Sequence, residues 1–249
     1  MKRLVARTRT LLRRTARLAV MVPFAAFLSA APFHAALAQA APLLGTAQSF
    51  AVLGGPAVTC TNSTVTGDVG VALSTAFTNT GSTIAGNIHA GDVVAAQAYN
   101  DFLTAYDALA AKQCDVVLLT GTLAGQRLAP GVYCFDAAAT ETGQLTLDGP
   151  SDGIWIFKIG TFGTGALTGT SFSVVMANGG QASNVYWQVA DAATMTDSVF
   201  QGNILAGGAI TITRGSLVGR ALAKGAVTMT GTNVHGSNAP APLPCASTL

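Results

Sequence analysis

Apolar and hydroxyl-bearing positions alternate in the same order three times within residues 192–234. Ala192-Ala193-Thr194-Met195-Thr196 returns seventeen residues later as Ala209-Ile210-Thr211-Ile212-Thr213, and after seventeen more as Ala226-Val227-Thr228-Met229-Thr230. Gly202, Gly219 and Gly236 keep the same step, as do Phe200, Leu217 and Val234, and the pairs Leu205/Leu222 and Ala206/Ala223. The period is too short for a two-helix repeat, and alternation of β-branched residues marks strand. One turn of a β-solenoid is the unit that fits. Successive side chains on a strand point to opposite faces, so Met195, Ile210, Ile212, Val227 and Met229 are expected to point inward and the threonines outward. Two outward columns follow, Thr194/Thr211/Thr228 and Thr196/Thr213/Thr230. With stacked strands about 4.8 Å apart and alternate residues about 6.7 Å apart, they form a flat lattice of hydroxyls and methyls.

Weaker copies extend these columns through Leu167-Thr168-Gly169-Thr170 and Leu145-Thr146-Leu147-Asp148, where Asp148 interrupts the pattern. Earlier in the chain, Ser49-Phe50-Ala51-Val52-Leu53, Ser63-Thr64-Val65-Thr66-Gly67-Asp68-Val69-Gly70-Val71 and the segment 80–88 have the same strand-and-glycine-corner character and are expected to be the first rungs. Further short strands are expected at 116–119, 131–135, 145–147, 154–157 and 185–189. The last two, rich in aromatics, should fill the widest part of the core.

One segment has a different period. Ala95, Tyr99, Phe102, Tyr106 and Leu109 recur at intervals of four, three, four and three, which predicts an amphipathic helix over 92–113 with Asp92 at its N-cap. Its apolar stripe needs a partner, and a wall of the solenoid supplies one.

The N-terminus changes the electrostatic picture. Lys2, Arg3, Arg7, Arg9, Arg13, Arg14 and Arg17 precede an apolar stretch at 18–31 and a small-residue site at Ala38-Gln39-Ala40, the pattern of a cleaved signal peptide over 1–40. Residues 41–236 then form the folded domain, and 237–249, rich in Pro, Ala and Ser, an extended tail. Of the thirteen basic residues only six lie beyond the leader, against eleven acidic ones, so the exported chain carries a charge of about −5. No basic patch remains to neutralise phosphates, which argues against a nucleic-acid partner.

Four cysteines in an exported chain point to disulfides rather than to a zinc module, since no histidine accompanies them. Cys114 follows the helix and Cys134 ends the next strand, so these two are the preferred pair; by elimination Cys60 meets Cys245. The acidic residues Asp136, Glu141, Asp148, Asp152, Asp191 and Asp197 are scattered between strands, and Arg214 and Arg220 fall at rung corners. No paired carboxylates recur at rung spacing, which weighs against a polysaccharide-cleaving enzyme. His89 is read as a structural contact at the entrance to the helix, His235 as a rung-end residue, and His34 as part of the leader. No catalytic residue, metal, cofactor or small-molecule substrate is expected.

The chain resembles the DUF3494 ice-binding proteins. The resemblance runs over residues 44–236 and rests on Phe50-Ala51-Val52-Leu53-Gly54-Gly55, Val65-Thr66-Gly67-Asp68-Val69-Gly70-Val71, His89-Ala90-Gly91-Asp92 ahead of the helix, Leu128-Ala129-Pro130-Gly131-Val132-Tyr133, Ile156-Phe157-Lys158-Ile159-Gly160, Asn184-Val185-Tyr186-Trp187-Gln188-Val189, Gly202-Asn203-Ile204-Leu205-Ala206 and Gly219-Arg220-Ala221-Leu222-Ala223. It implies an all-β solenoid, a right-handed discontinuous β-helix of triangular section with one long α-helix packed alongside, in which early and late rungs stack out of sequence order. It also implies binding to an ice crystal surface through one flat face; the leader adds the expectation of a secreted protein, released or held at the cell surface, and a monomer is expected.

Some members show a Thr-Ala/Gly-x-Thr/Asn motif on that face. Here Thr80-Gly81-Ser82-Thr83 and Thr230-Gly231-Thr232-Asn233 match it, and Thr168-Gly169-Thr170-Ser171 and Thr213-Arg214-Gly215-Ser216 match in part. The candidate ice-binding residues are therefore Thr194, Thr196, Thr211, Thr213, Thr228, Thr230, Thr232, Thr168 and Thr170. The rival reading is a structural or adhesive cell-surface module of the same fold.

Overall fold

The computed structural model describes residues 40–119 and 121–236. The expected leader and tail lie outside them, apart from Ala40. In chain order the strands are β1 (Phe50–Gly54), β2 (Val58–Thr61), β3 (Thr64–Thr66), β4 (Asp68–Val71), β5 (Phe77–Thr80), β6 (Thr83–Ala85) and β7 (Ile88–Ala90). Helix α1 (Val93–Ala110) follows, then β8 (Val116–Val117), β9 (Arg127–Leu128), β10 (Gly131–Phe135), β11 (Ala139–Asp148), β12 (Trp155–Ile159), β13 (Leu167–Ala177), β14 (Val185–Val189), β15 (Ala193–Ala206), β16 (Ile210–Ala223) and β17 (Val227–His235). All pair in parallel, and the long strands bend at corners, so that each turn of the coil contributes to three faces.

Seventeen-residue rungs stack in sequence order only from β15 to β17. Beyond β17 the stack continues with the N-terminal part of the chain: β2 and β3 lie on β17, and β5 and β6 lie on them. On the third face β1 is inserted between β16 and β4. This is the discontinuous β-helix the resemblance implies. Buried Arg220, at the corner entering that face, donates from Nε to Gln48 O (3.0 Å) and from Nη1 to Asn203 Oδ1 (2.8 Å), which fastens the segment leading into β1 to the late rungs.

Burial separates the three faces. On β1, β10, β12 and β14 all five positions are buried, because one side faces the coil interior and the other faces α1. Inside the coil, Tyr133, Phe157 and Trp187 stack with centroids 5.5 and 3.9 Å apart, and Phe200 and Phe172 extend the chain of rings. Each such pair adds about 0.5–1.5 kcal/mol to area burial, and Trp187 Nε1 meets its hydrogen-bonding need at Gln201 O (3.0 Å).

Outside, Val132, Ile156, Tyr186, Leu205, Leu222 and Leu53 form one apolar cluster with Ala98, Tyr99, Phe102, Ala105, Tyr106 and Leu109 of α1. Asp92 caps the helix by accepting from Ala95 N (2.8 Å). Tyr99 and Tyr106 donate their phenol hydroxyls to Lys224 O and Val189 O. At the other end Lys158 donates to Lys112 O (2.6 Å), just past the C-cap of the helix, and Cys114 is joined to Cys134.

Two expectations change. Leu145-Thr146-Leu147-Asp148 belongs to the second face, with Thr146 opposite Val175 and Leu147 opposite Met176, because β11 has already turned its corner at Gly143. Cys60 is a free, fully buried thiol on the inward side of β2, and Cys245 lies outside the described residues. Burial pushes the Cys60 thiol up to about 11, so little reactive thiolate exists at neutral pH. We expect Cys60 to resist iodoacetamide in the native protein and to be alkylated only after unfolding, read by peptide mass spectrometry; native labelling would contradict the sealed interior.

Candidate functional site

The first face is built from β11, β13, β15, β16, β17, β2 and β5, and parallel registration carries its threonines into line. Thr140, Thr168, Thr194, Thr211, Thr228, Thr59 and Thr78 are successive Cα partners, an unbroken column seven rungs long. Thr170, Thr196, Thr213, Thr230, Thr61 and Thr80 form a second column of six. Each of these side chains is half-buried or exposed, while Met195, Ile212, Met229 and Cys60 between them are buried and point inward in the same ladder; at the last rung, β5, the intervening Asn79 is exposed. At about 4.8 Å per strand the longer column extends about 29 Å.

Eight of the nine candidate residues thus share one face: Thr168, Thr170, Thr194, Thr196, Thr211, Thr213, Thr228 and Thr230. The ninth does not. Thr232 is fully buried, with its hydroxyl 3.2 Å from Thr230 O and 3.2 Å from Ile212 O. The reason is the corner at Gly231 (φ 60°), which turns the chain so that the strict alternation of a straight strand fails across it. The tetrads Thr230-Gly231-Thr232-Asn233 and Thr80-Gly81-Ser82-Thr83 therefore do not lie along one face; they wrap from the first face to the second.

Sequence reasoning missed Thr59, Thr61, Thr78 and Thr140, and used Thr80 only as part of a tetrad. The available signal was Val58-Thr59-Cys60-Thr61 and Phe77-Thr78-Asn79-Thr80, two further Thr-x-Thr alternations nineteen residues apart.

The corner after the second column recurs in every rung. Gly143, Ser171, Asp197, Arg214, Gly231, Asn62 and Gly81 all have φ between 46° and 68°. For a residue with a Cβ this left-handed region costs about 1–2 kcal/mol, so side chains are present there against a local penalty. Arg214, which follows Thr213, occupies this rim. Its guanidinium donates to both carboxylate oxygens of Asp197 (2.6 and 2.8 Å), and those hydrogen bonds hold the Asp197 carboxyl below its usual range. Charge at this edge is thus paired one rung apart, outside both columns.

The other faces lack such regularity. One outward column of the second face runs Ser173, Val199, Ser216, Asn233, Thr64, Thr83, and its neighbour runs Gln201, Val218, His235, Thr66, Ala85. The third face is covered by α1. Among the described residues no three His, Cys, Asp or Glu side chains gather to hold a metal ion. His89 Nδ1 lies 2.7 Å from Asp92 Oδ2, and this pair belongs to the helix cap. The chemistry left to the first face is that of an ordered hydroxyl and methyl array.

Comparison with known proteins agrees over most of the chain. The ice-binding-like family model matches residues 52–235. An ice-binding protein of Nostoc sp. (strain HG1) is 41% identical over 183 residues, covering 72% of this chain and 66% of that protein. One from Flavobacterium frigoris (strain PS1) is 33% identical over 187 residues, covering 68% and 66%. The chain therefore spans just under two thirds of the length of these two relatives. Among solved structures, the ice-binding protein of the Antarctic ascomycete Antarctomyces psychrotrophicus superimposes with a TM-score of 0.75 at 34% identity, covering 80% of this chain and 100% of that one. A glycosylated ice-binding protein from an Arctic yeast gives 0.76 at 28% identity, covering 83% and 98%.

Proposed function

The chain belongs to the ice-binding-like family, and from that premise we propose that it is exported and adsorbs to ice through the two threonine columns, giving thermal hysteresis and inhibiting recrystallisation. The observation that carries this reading is the register itself: thirteen threonines in two unbroken columns, with no charged residue at any position of either column. Hydroxyls at a fixed spacing join an ordered layer of water, and the methyls beside them disfavour competing liquid arrangements. Each contact is weak. Adsorption becomes lasting because many act at once on a backbone whose ordering the fold has already met, so little freedom remains to be lost at the ice surface. In this reading the protein acts without catalysis or cofactor, as a monomer with ice as its partner.

The test is direct. Purified protein at micromolar concentration is expected to facet single ice crystals and to hold a frozen sucrose dispersion at small grain size. Smooth, unfaceted crystals that coarsen at the rate of buffer would instead favour a structural or adhesive module.

A further inference from the structure

Behind the second threonine column lies a further line of hydroxyls, and we infer that it positions the column for ice. This role rests on the ice-binding reading above. Two residues past Thr196, Thr230, Thr61 and Thr80, just beyond the left-handed corner, stand Ser198, Thr232, Ser63 and Ser82, while Phe172 takes this place after Thr170 at the end of the column. The first three are buried, at 2%, 0% and 3% exposure. Ser198 Oγ donates to Thr196 O (2.9 Å) and Ser63 Oγ to Thr61 O (2.9 Å), while Thr232 Oγ1 lies 3.2 Å from Thr230 O. Ser198, Ser63 and Ser82 accept from the next rung: Phe172 N donates to Ser198 Oγ (3.2 Å), Thr232 N to Ser63 Oγ (3.2 Å) and Ser63 N to Ser82 Oγ (2.9 Å).

Ser198 and Ser63 each do two things: the hydroxyl ties the carbonyl of an ice-facing threonine across a corner the backbone resists, and it accepts an N–H from the neighbouring rung. The Thr232 hydroxyl is shared between Thr230 O and Ile212 O of the adjacent rung, and Ser82 Oγ accepts from Ser63 N. The column is held from behind in both directions, and loss of the Thr232 hydroxyl removes its hydrogen bonding to the Thr230 and Ile212 carbonyls.

The rung of β16 interrupts the line. Gly215 stands where the hydroxyl would be, and a Cβ there would lie 2.1 Å from Ser198 O. At this rung Arg214 grips Asp197 from outside, so the corner of Thr213 is braced to that of Thr196 by an ion pair instead.

Thr232→Val and Thr232→Ser test the idea, because the first keeps the volume and removes the hydroxyl while the second keeps the hydroxyl. Thermal hysteresis is expected to fall roughly twofold in Thr232→Val and to stay near wild type in Thr232→Ser, since adsorption sums many weak contacts over the aligned face. Leu205→Ala, beneath the helix, is the control for destabilisation alone and should retain hysteresis near 0 °C, where it is folded by circular dichroism. Wild-type hysteresis in Thr232→Val, or an equal fall in Leu205→Ala, would overturn the positioning role while leaving the ice reading intact. Absence of hysteresis in the wild type would overturn both.

Discussion

Thr211→Tyr is expected to abolish ice shaping and thermal hysteresis while leaving the melting temperature close to wild type. Thr211 sits in the middle of the seven-rung column, between Thr194 and Thr228 in register, and its side chain is only half-buried. A phenol ring there stands above its neighbours and lifts the face away from a flat crystal on both sides. Because adsorption depends on many contacts forming together, one central protrusion removes most of them. The fold loses little, since no inward contact is touched, tyrosine is a good strand former, and surface substitutions usually fall within about 0.5 kcal/mol. Nanolitre osmometry beside a thermal melt reads both halves of the prediction. Ser216→Tyr, outward on the second face between Val199 and Asn233, is the matched control and should keep full activity. Equal loss in the control, or activity retained in Thr211→Tyr, would move the binding surface elsewhere.

The readability of this surface in the sequence followed the order of the chain. Rungs β15, β16 and β17 are consecutive, so Thr194, Thr211 and Thr228 fall at a constant step and their alignment follows from counting. Thr59 and Thr78 join the same column from the opposite end of the domain: Thr228 pairs with Thr59 although the whole helix and fourteen strands lie between them. No periodicity survives such a connection, and only the register of β2 on β17 reveals it. Thr232 failed for a local reason, because a left-handed corner reverses the parity on which inward and outward assignments depend. Leu145-Thr146-Leu147-Asp148 failed because the same alternation serves any solvated face, and without the corner at Gly143 its face was not determined. The helix was legible because a four-three spacing of large apolar groups admits few other structures, and the pairing of Cys114 with Cys134 because the first closely follows the helix and the second lies on a strand only 20 residues further on.

Glu141 is where sequence reading saw a scattered acid and the fold holds a buried one. Its side chain points into the coil at the start of β11, fully buried, in ladder with Gly169. Leu123 N donates to Oε2 (2.6 Å), tying the 121–126 loop to the rung below, while Oε1 has no hydrogen-bond partner among the described residues. Burial outweighs the one backbone hydrogen bond and pushes the carboxyl up to about 7. An unfolded chain titrates this residue near the ordinary glutamate value of about 4.3.

Between those values the native state holds the proton that the unfolded state has released, so unfolding free energy declines as pH rises from about 4.3 to about 7 and is level beyond. The ceiling on that decline is about 4 kcal/mol, at 1.36 kcal/mol per pKa unit. Glu141→Gln removes the charge and keeps a side-chain carbonyl able to accept from Leu123 N. The variant is therefore expected to match wild type in urea unfolding at pH 4 and to exceed it by about 1–3 kcal/mol at pH 8. Parallel pH profiles for the two proteins would show that the carboxylate is solvated in the native state. Hysteresis should be the same in both, because Glu141 points away from the threonine columns and bears on the strength of the coil's end, not on the surface that meets ice.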